Sequence, residues 1–160
     1  MATIDYPITP GVRFLRELKI PFLPHLYAYE PKGGTAVSAR ELGVEEHRII
    51  KTLEMESDPK HQFLVLMHGD KEVSTKQLAR FLNVKSVAPA NEQTANRVTG
   101  YQVGGISPFG TKQPLTVYAE QSIFVLPQIL INGGKRGFLV AVDPADLKRV
   151  LKVTEVSAAV

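Results

Sequence analysis

Apolar residues Val12, Leu15 and Leu18 follow Thr9-Pro10 at three-residue spacing. That spacing puts them on one helical face, behind a hydroxyl cap and a proline suited to a first turn. The pattern predicts a helix over about 9–19, with Lys19 in its last turn. From Pro21 to Tyr29 large apolar or aromatic side chains alternate, and the run stops at Pro31-Lys32-Gly33-Gly34, so a strand and then a turn are expected. Thr35 to Gly43 carries Ala36, Ala39 and Leu42 and ends on glycine, which predicts a short helix with a left-handed stop.

Two β-prone runs come next, Ile49 to Met55 and Gln62 to Met67, joined by a turn around Ser57-Asp58-Pro59-Lys60. Ser74 to Leu82 reads as a capped amphipathic helix, and Pro89 to Arg97 as another that ends just before Gly100. Strands are expected at Thr116 to Tyr118, Ile123 to Leu126, Gln128 to Ile131 and Phe138 to Val142, the last two flanking a Gly133 to Gly137 turn. Asp143-Pro144 has the form of a final helix start. Helices lie early and in the middle, strands centrally and late with hairpin-length connections. The fold class expected is α+β, a mixed or largely antiparallel sheet surrounded by helices, in one domain over residues 1–160.

Composition narrows the chemistry more than the fold. A chain of 160 residues can bury roughly 70% of its unfolded surface and needs no staples. It has no cysteine, so disulfides, thiolate metal sites and a thiol nucleophile are excluded. Nineteen Lys and Arg against sixteen Asp and Glu leave a formal +3, compatible with an anionic partner but modest for a dedicated nucleic-acid binder. The N-terminal residues lack the basic and apolar regions of a signal peptide, and no apolar run reaches the roughly 18 residues of a membrane span. A cytoplasmic protein without membrane partners is expected.

His25, His47, His61 and His68 stand at no metal-ligand spacing. The stretch Gly105-Ile106-Ser107-Pro108-Phe109-Gly110 has one residue too many for a nucleophile elbow, and no GxxxxGK[ST] occurs. Three features remain. Lys51 lies inside an apolar strand, where its ammonium either reaches solvent or faces an anion. Gly133-Gly134-Lys135-Arg136-Gly137 is either a hairpin tip or a set of amides and cations that grips phosphate. Gly104-Gly105 is either a buried turn or a place of close backbone approach.

In order and spacing, these stretches resemble the YbaK/EbsC aminoacyl-tRNA deacylases, relatives of the editing domain inserted in bacterial prolyl-tRNA synthetases. The likeness runs from Thr9-Pro10 and His25-Leu26-Tyr27, through Lys51-Thr52-Leu53, to Thr99–Pro108 and Gly133–Gly137. It implies hydrolysis, in trans, of the ester joining a wrong amino acid to the 3′ end of a tRNA. Cysteine or another small residue on tRNA(Pro) is the first expectation, and no metal or organic cofactor is implied. Prolyl-tRNA synthetase is an implied partner, and a non-catalytic module for the tRNA acceptor end or a synthetase is the alternative.

The resemblance also assigns residues. Lys51 matches the essential lysine at the terminal adenosine or its phosphate, while Tyr27 and Thr52 match pocket positions beside it. Gly104 and Gly105 match glycines whose amides hold the ester, with Ile106, Ser107 and Pro108 completing that loop. Amides fixed where an oxyanion develops would stabilise it, and the attacking group would be water or a substrate group. Lys135 and Arg136 stand beside Gly133 and Gly134 in the basic loop. The family's cysteine-specific members carry serine where this chain has Asn132, and aspartate where it has Leu139. A less polar or differently sized acyl group is implied.

Overall fold

Thr9 and Ser74 each accept a hydrogen bond from a backbone amide in the turn that follows, Val12 at 3.0 Å and Gln77 at 3.2 Å. These caps open α1 (Pro10–Glu17) and α3 (Thr75–Leu82) in the computed structural model, which describes residues 5–160. The other helices are α2 (Gly34–Leu42), α4 (Glu92–Thr99) and α5 (Ala145–Val150). Strands are β1 (Leu23–Leu26), β2 (Ile49–Asp58), β3 (Gln62–His68), β4 (Ser86–Pro89), β5 (Thr116–Glu120), β6 (Ile129–Lys135), β7 (Phe138–Val142) and β8 (Val153–Val156).

All eight strands join one sheet in the order β1-β7-β6-β2-β3-β5-β8, with β4 added beside β2. Four pairings are antiparallel and three, β2 with β6, β3 with β5 and β5 with β8, are parallel. The α+β expectation with a mixed sheet is met. Alternation along β3 explains why both faces are covered: Leu64 and Leu66 pack with Val12 and Leu15 of α1, whereas Phe63 and Val65 pack under Leu78 of α3. Ile49, Leu130 and Leu139 form a further cluster with Ala39 and Leu42 of α2.

Several elements depart from the sequence reading. The run Ile123 to Leu126 is not a strand but belongs to a 3-10 turn, Gln121–Val125, because it has one inward position. Ile123 is fully buried there, whereas Val125 is 82% exposed. Pro89, expected to start a helix, instead ends a strand, Ser86–Pro89, that pairs with β2, and α4 starts later behind an Asn91 cap on Thr94. β8 was not expected, and the strand read over Pro21 to Tyr29 shortens to Leu23–Leu26.

The sheet is interrupted along one edge of β2. β2 pairs with β6 only at Ile49 and Ile50, and with β4 only from Met55 onward. Backbone bonds at Ile49 and Ser57 run to the β3 side, and the Glu54 carbonyl accepts from Ala90 on the opposite side. Odd residues of β2 therefore turn their backbone groups to β3, and even ones to the other edge. The N–H and C=O of Thr52 face a gap in the ladder.

Candidate active site

A cavity of about 780 Å³ occupies this gap. Its walls include β2 from Ile49 to Met55, the end of the β1 connection at Tyr27 and Tyr29, the Gly104 loop, and Asn132, Arg136 and Leu139 of the β6–β7 hairpin. Eight of the residues singled out from sequence meet here: Tyr27, Lys51, Thr52, Gly104, Ile106, Asn132, Arg136 and Leu139. Gly105, Ser107, Pro108, Gly133, Gly134 and Lys135 lie outside the lining.

All of the outlying residues but Pro108 have a visible structural task. Ser107 is fully buried, and its hydroxyl accepts from the Phe109 amide at 3.1 Å. It is loop structure. The Gly105 amide donates to the Gln102 carbonyl at 2.8 Å, and a Cβ on Gly105 would come within 2.7 Å of the Arg136 nitrogen. Its N–H is therefore spent inside a turn. Among the described residues the amides of Gly104 and Ile106 have no acceptor, so of the expected pair Gly104 keeps a free N–H and Gly105 does not. A Cβ on Gly133 would lie 2.4 Å from the Phe138 ring, which makes that glycine a requirement of hairpin packing.

Asn132 joins the two glycine loops. Its Oδ1 accepts from the amides of Gly134 at 2.7 Å and Lys135 at 3.1 Å, while its Nδ2 donates to the Gly104 carbonyl at 3.3 Å. The Gly134 and Lys135 amides are thereby committed to Asn132. Tyr101 fixes the far end of the Gly104 loop by donating from its hydroxyl to the Phe109 carbonyl at 2.5 Å. Burial pushes the Tyr101 phenol up to about 12, so it stays a donor throughout the physiological range.

The polar groups divide into a rim and an interior. At the rim, the Lys51 ammonium donates to the Lys71 carbonyl at 2.5 Å and lies 3.5 Å from a Glu72 oxygen. Arg136 donates from Nε to the Val103 carbonyl at 2.9 Å, and its guanidinium sits 5.2 Å from the centre of the Tyr29 ring. Gly104 lies against that pair, with φ +94 and room for no Cβ: one would come within 2.8 Å of the Tyr29 hydroxyl. Burial raises the Tyr27 phenol above its ordinary range. Leu139 and Ile49 supply apolar wall.

Inside stands Glu54, which sequence reasoning passed over. It is 5% exposed, neither carboxyl oxygen has a hydrogen-bond partner, and the Thr52 hydroxyl is likewise unpartnered. Burial, with a smaller push from Glu56, raises its carboxyl from the ordinary 4.5 to about 8. Alternation along the strand hid it, since Glu54 shares a phase with Thr52 and Glu56 and so reads as part of a wet face. The one available signal was the neighbouring Lys51-Thr52 site two and three positions away.

A cavity with a cationic rim, free amides on a glycine loop and a gap in the pairing of β2 suits an acyl ligand with an anionic end. The chain belongs to the aminoacyl-tRNA editing domain family, whose model matches residues 30–150. It is 28% identical over 137 residues to an Enterococcus faecalis protein provisionally named Cys-tRNA(Pro)/Cys-tRNA(Cys) deacylase EbsC, across 85% of this chain and 84% of that one. Over 86 residues it is 30% identical to a proline–tRNA ligase of Brachyspira hyodysenteriae, a match that covers 54% of this chain and 15% of the ligase. A solved structure provisionally assigned as a trans-editing enzyme for prolyl tRNA synthetase aligns with a TM-score of 0.81 at 18% identity, covering 96% of this chain and 99% of that one. That likeness concerns the fold. Among the described residues no helix is long and apolar enough to cross a membrane.

Proposed function

We propose that this chain is a trans-editing hydrolase, working as one domain in the cytoplasm, that removes a small wrong amino acid from the 3′ end of tRNA(Pro). The observation that carries the reading is the convergence of Lys51, Arg136 and the unoccupied Gly104 and Ile106 amides on one cavity in a member of the editing family. The name of the Enterococcus relative supports an ester of tRNA(Pro) as the substrate, and the ligase matches support prolyl-tRNA synthetase as the source of the error.

In the proposed reaction a water oxygen adds to the ester carbonyl carbon. The bond from that carbon to the ribose oxygen breaks, one water proton passes to the ribose oxygen and the other to solvent, and the amino acid leaves with a free carboxylate. Gly104 and Ile106 N–H groups receive the negative charge that develops on the carbonyl oxygen; fixed donors of this kind contribute about 3–4 kcal/mol each in other hydrolases. Lys51 and Arg136 hold the phosphate end, for which Lys51 has to exchange its Lys71 and Glu72 contacts. Leu139 and Ile49 face the acyl side chain and favour an apolar or small one.

The test mixes the purified protein with tRNA(Pro) charged with cysteine, serine, threonine or alanine and follows ester loss, with Lys51→Ala as the comparison. Loss of at least one ester well above the buffer rate, reduced at least about tenfold in the variant, is expected. Saturable tRNA binding without ester loss would support the binding-module reading instead.

A further inference from the structure

Among the described residues four buried side-chain oxygens have no hydrogen-bond partner, and three of them, Glu54 Oε1, Glu54 Oε2 and Thr52 Oγ1, belong to residues lining the cavity. Buried acceptors left empty are costly, and a native fold that keeps several together has a use for them. Thr52 and Glu54 stand two positions apart on one face of β2, so their Cβ atoms are about 7 Å apart and a single small group can reach both side chains. The fourth orphan, Gln62 Oε1, belongs to a side chain whose nitrogen is bonded to Glu56.

We infer that Glu54 and Thr52 form a seat for the α-ammonium group of the aminoacyl ester. This inference rests on the deacylase reading and deepens it. Once Glu54 gives up its proton to solvent as the cation binds, its two oxygens and the Thr52 hydroxyl offer three acceptors to the three donors of an ammonium group, whereas a side-chain hydroxyl offers one donor. The sign matches as well. Glu54 of β2 shares the cavity wall with Ala95 of α4 and with Ile106, and among the described residues no cation pairs with it. A ligand cation would make good that deficit, and an aminoacyl ester carries one cationic group beside its reacting carbonyl. Fixing the amine would orient the carbonyl next to it, so Glu54 acts as a binding and positioning residue without taking part in bond making.

The seat predicts that an ester is recognised by its amine, whatever its side chain. The amino acid released fastest among cysteine, serine, threonine and alanine is compared, on tRNA(Pro), with the 2-hydroxy acid of the same side chain, in which a hydroxyl replaces the amine at almost unchanged volume. Each rate is divided by its own rate in buffer, because the amine alters the intrinsic lability of the ester. The wild-type enhancement is expected to be at least about tenfold larger for the amine-bearing ester. Glu54→Gln should bring the two esters within about threefold of each other, and Thr52→Val should narrow the gap partly.

Equal enhancement of both esters by the wild-type protein overturns the seat, and that arm needs no variant to fold. A folded Glu54→Gln that keeps the wild-type preference overturns it too. If neither ester is cleaved faster than in buffer, the deacylase reading falls and takes the seat with it.

Discussion

The Asn132 amide nitrogen donates to the Gly104 carbonyl at 3.3 Å, across 28 positions of sequence. Together with the Arg136 bond to the Val103 carbonyl, this contact ties the loop that offers free amides to the hairpin that carries Arg136. A serine at this position would be too short to bridge the same two loops and to cap two amides at once.

Replacing Asn132 with alanine should therefore cost more than a surface change. The expected loss is about 1–3 kcal/mol of stability, because the Gly134 and Lys135 amides and the Gly104 carbonyl lose their partner. Deacylation should fall at least about tenfold as the Gly104 loop loosens. Urea unfolding and ester-release kinetics on the same preparation check both; unchanged kinetics with lowered stability would remove Asn132 from the active-site argument.

Glu54 gives the molecule an unusual dependence on pH. Its carboxyl is raised from 4.5 to about 8 in the folded state, so between those values the folded form holds a proton that the unfolded form has lost. Its contribution to stability is then fully present below about pH 4.5 and declines as pH rises, by up to about 1.4 kcal/mol per pH unit, until it levels off above about 8. Urea midpoints at pH 5, 7 and 9 should fall for the wild type, and fall less for Glu54→Gln. Parallel curves for the two proteins would show that the carboxyl is not held neutral.

The glycines and the cations of the basic loop should separate in experiment. Gly133→Ala pushes a methyl into the Phe138 ring and should cost about 1–3 kcal/mol. Lys135→Ala, at an exposed position outside the cavity, should change stability by less than about 0.5 kcal/mol. Thermal unfolding of the two variants is the measurement; equal behaviour would mean that the hairpin tolerates a side chain where its packing leaves no room.

Arg136 is expected to act through shape as well as charge. Arg136→Lys keeps the charge but loses the Nε bond to Val103 and the planar contact with Tyr29, and should lower kcat/KM about 3- to 10-fold. Arg136→Gln should add a loss in the salt dependence of tRNA binding, lowering the slope by about one phosphate contact. Titrations at several salt concentrations decide it, and a lysine variant equal to wild type would reduce the residue to a point charge.

Sequence pattern exposed the elements that carry strong periodicity or a cap. The β2–β3 pair, the Thr9 and Ser74 helix starts and the β6–β7 hairpin all follow from local residues. It failed where burial is decided elsewhere. Val87 is the one buried residue of β4, too little to reveal a strand that exists because β2 offers it an edge. Residues Lys51, Gly104 and Asn132 were visible as a set because glycines and a lone lysine are conspicuous in apolar surroundings. Glu54 was not, because a glutamate in an alternating strand looks solvated until α4 and the Gly104 loop are known to cover that face. Nor could spacing show that the Gly105 amide is used within its own turn.

The gap beside Thr52 is bounded by two segments that arrive independently, β6 leaving β2 after Ile50 and β4 joining it at Met55. Its width is thus a property of two connections and not of the sheet, which is continuous through β3 whatever happens on this edge. Lengthening or shortening either connection would resize the chamber without disturbing the ladder that holds the domain together, so acceptance of a new acyl group and retention of the fold can change separately in this architecture.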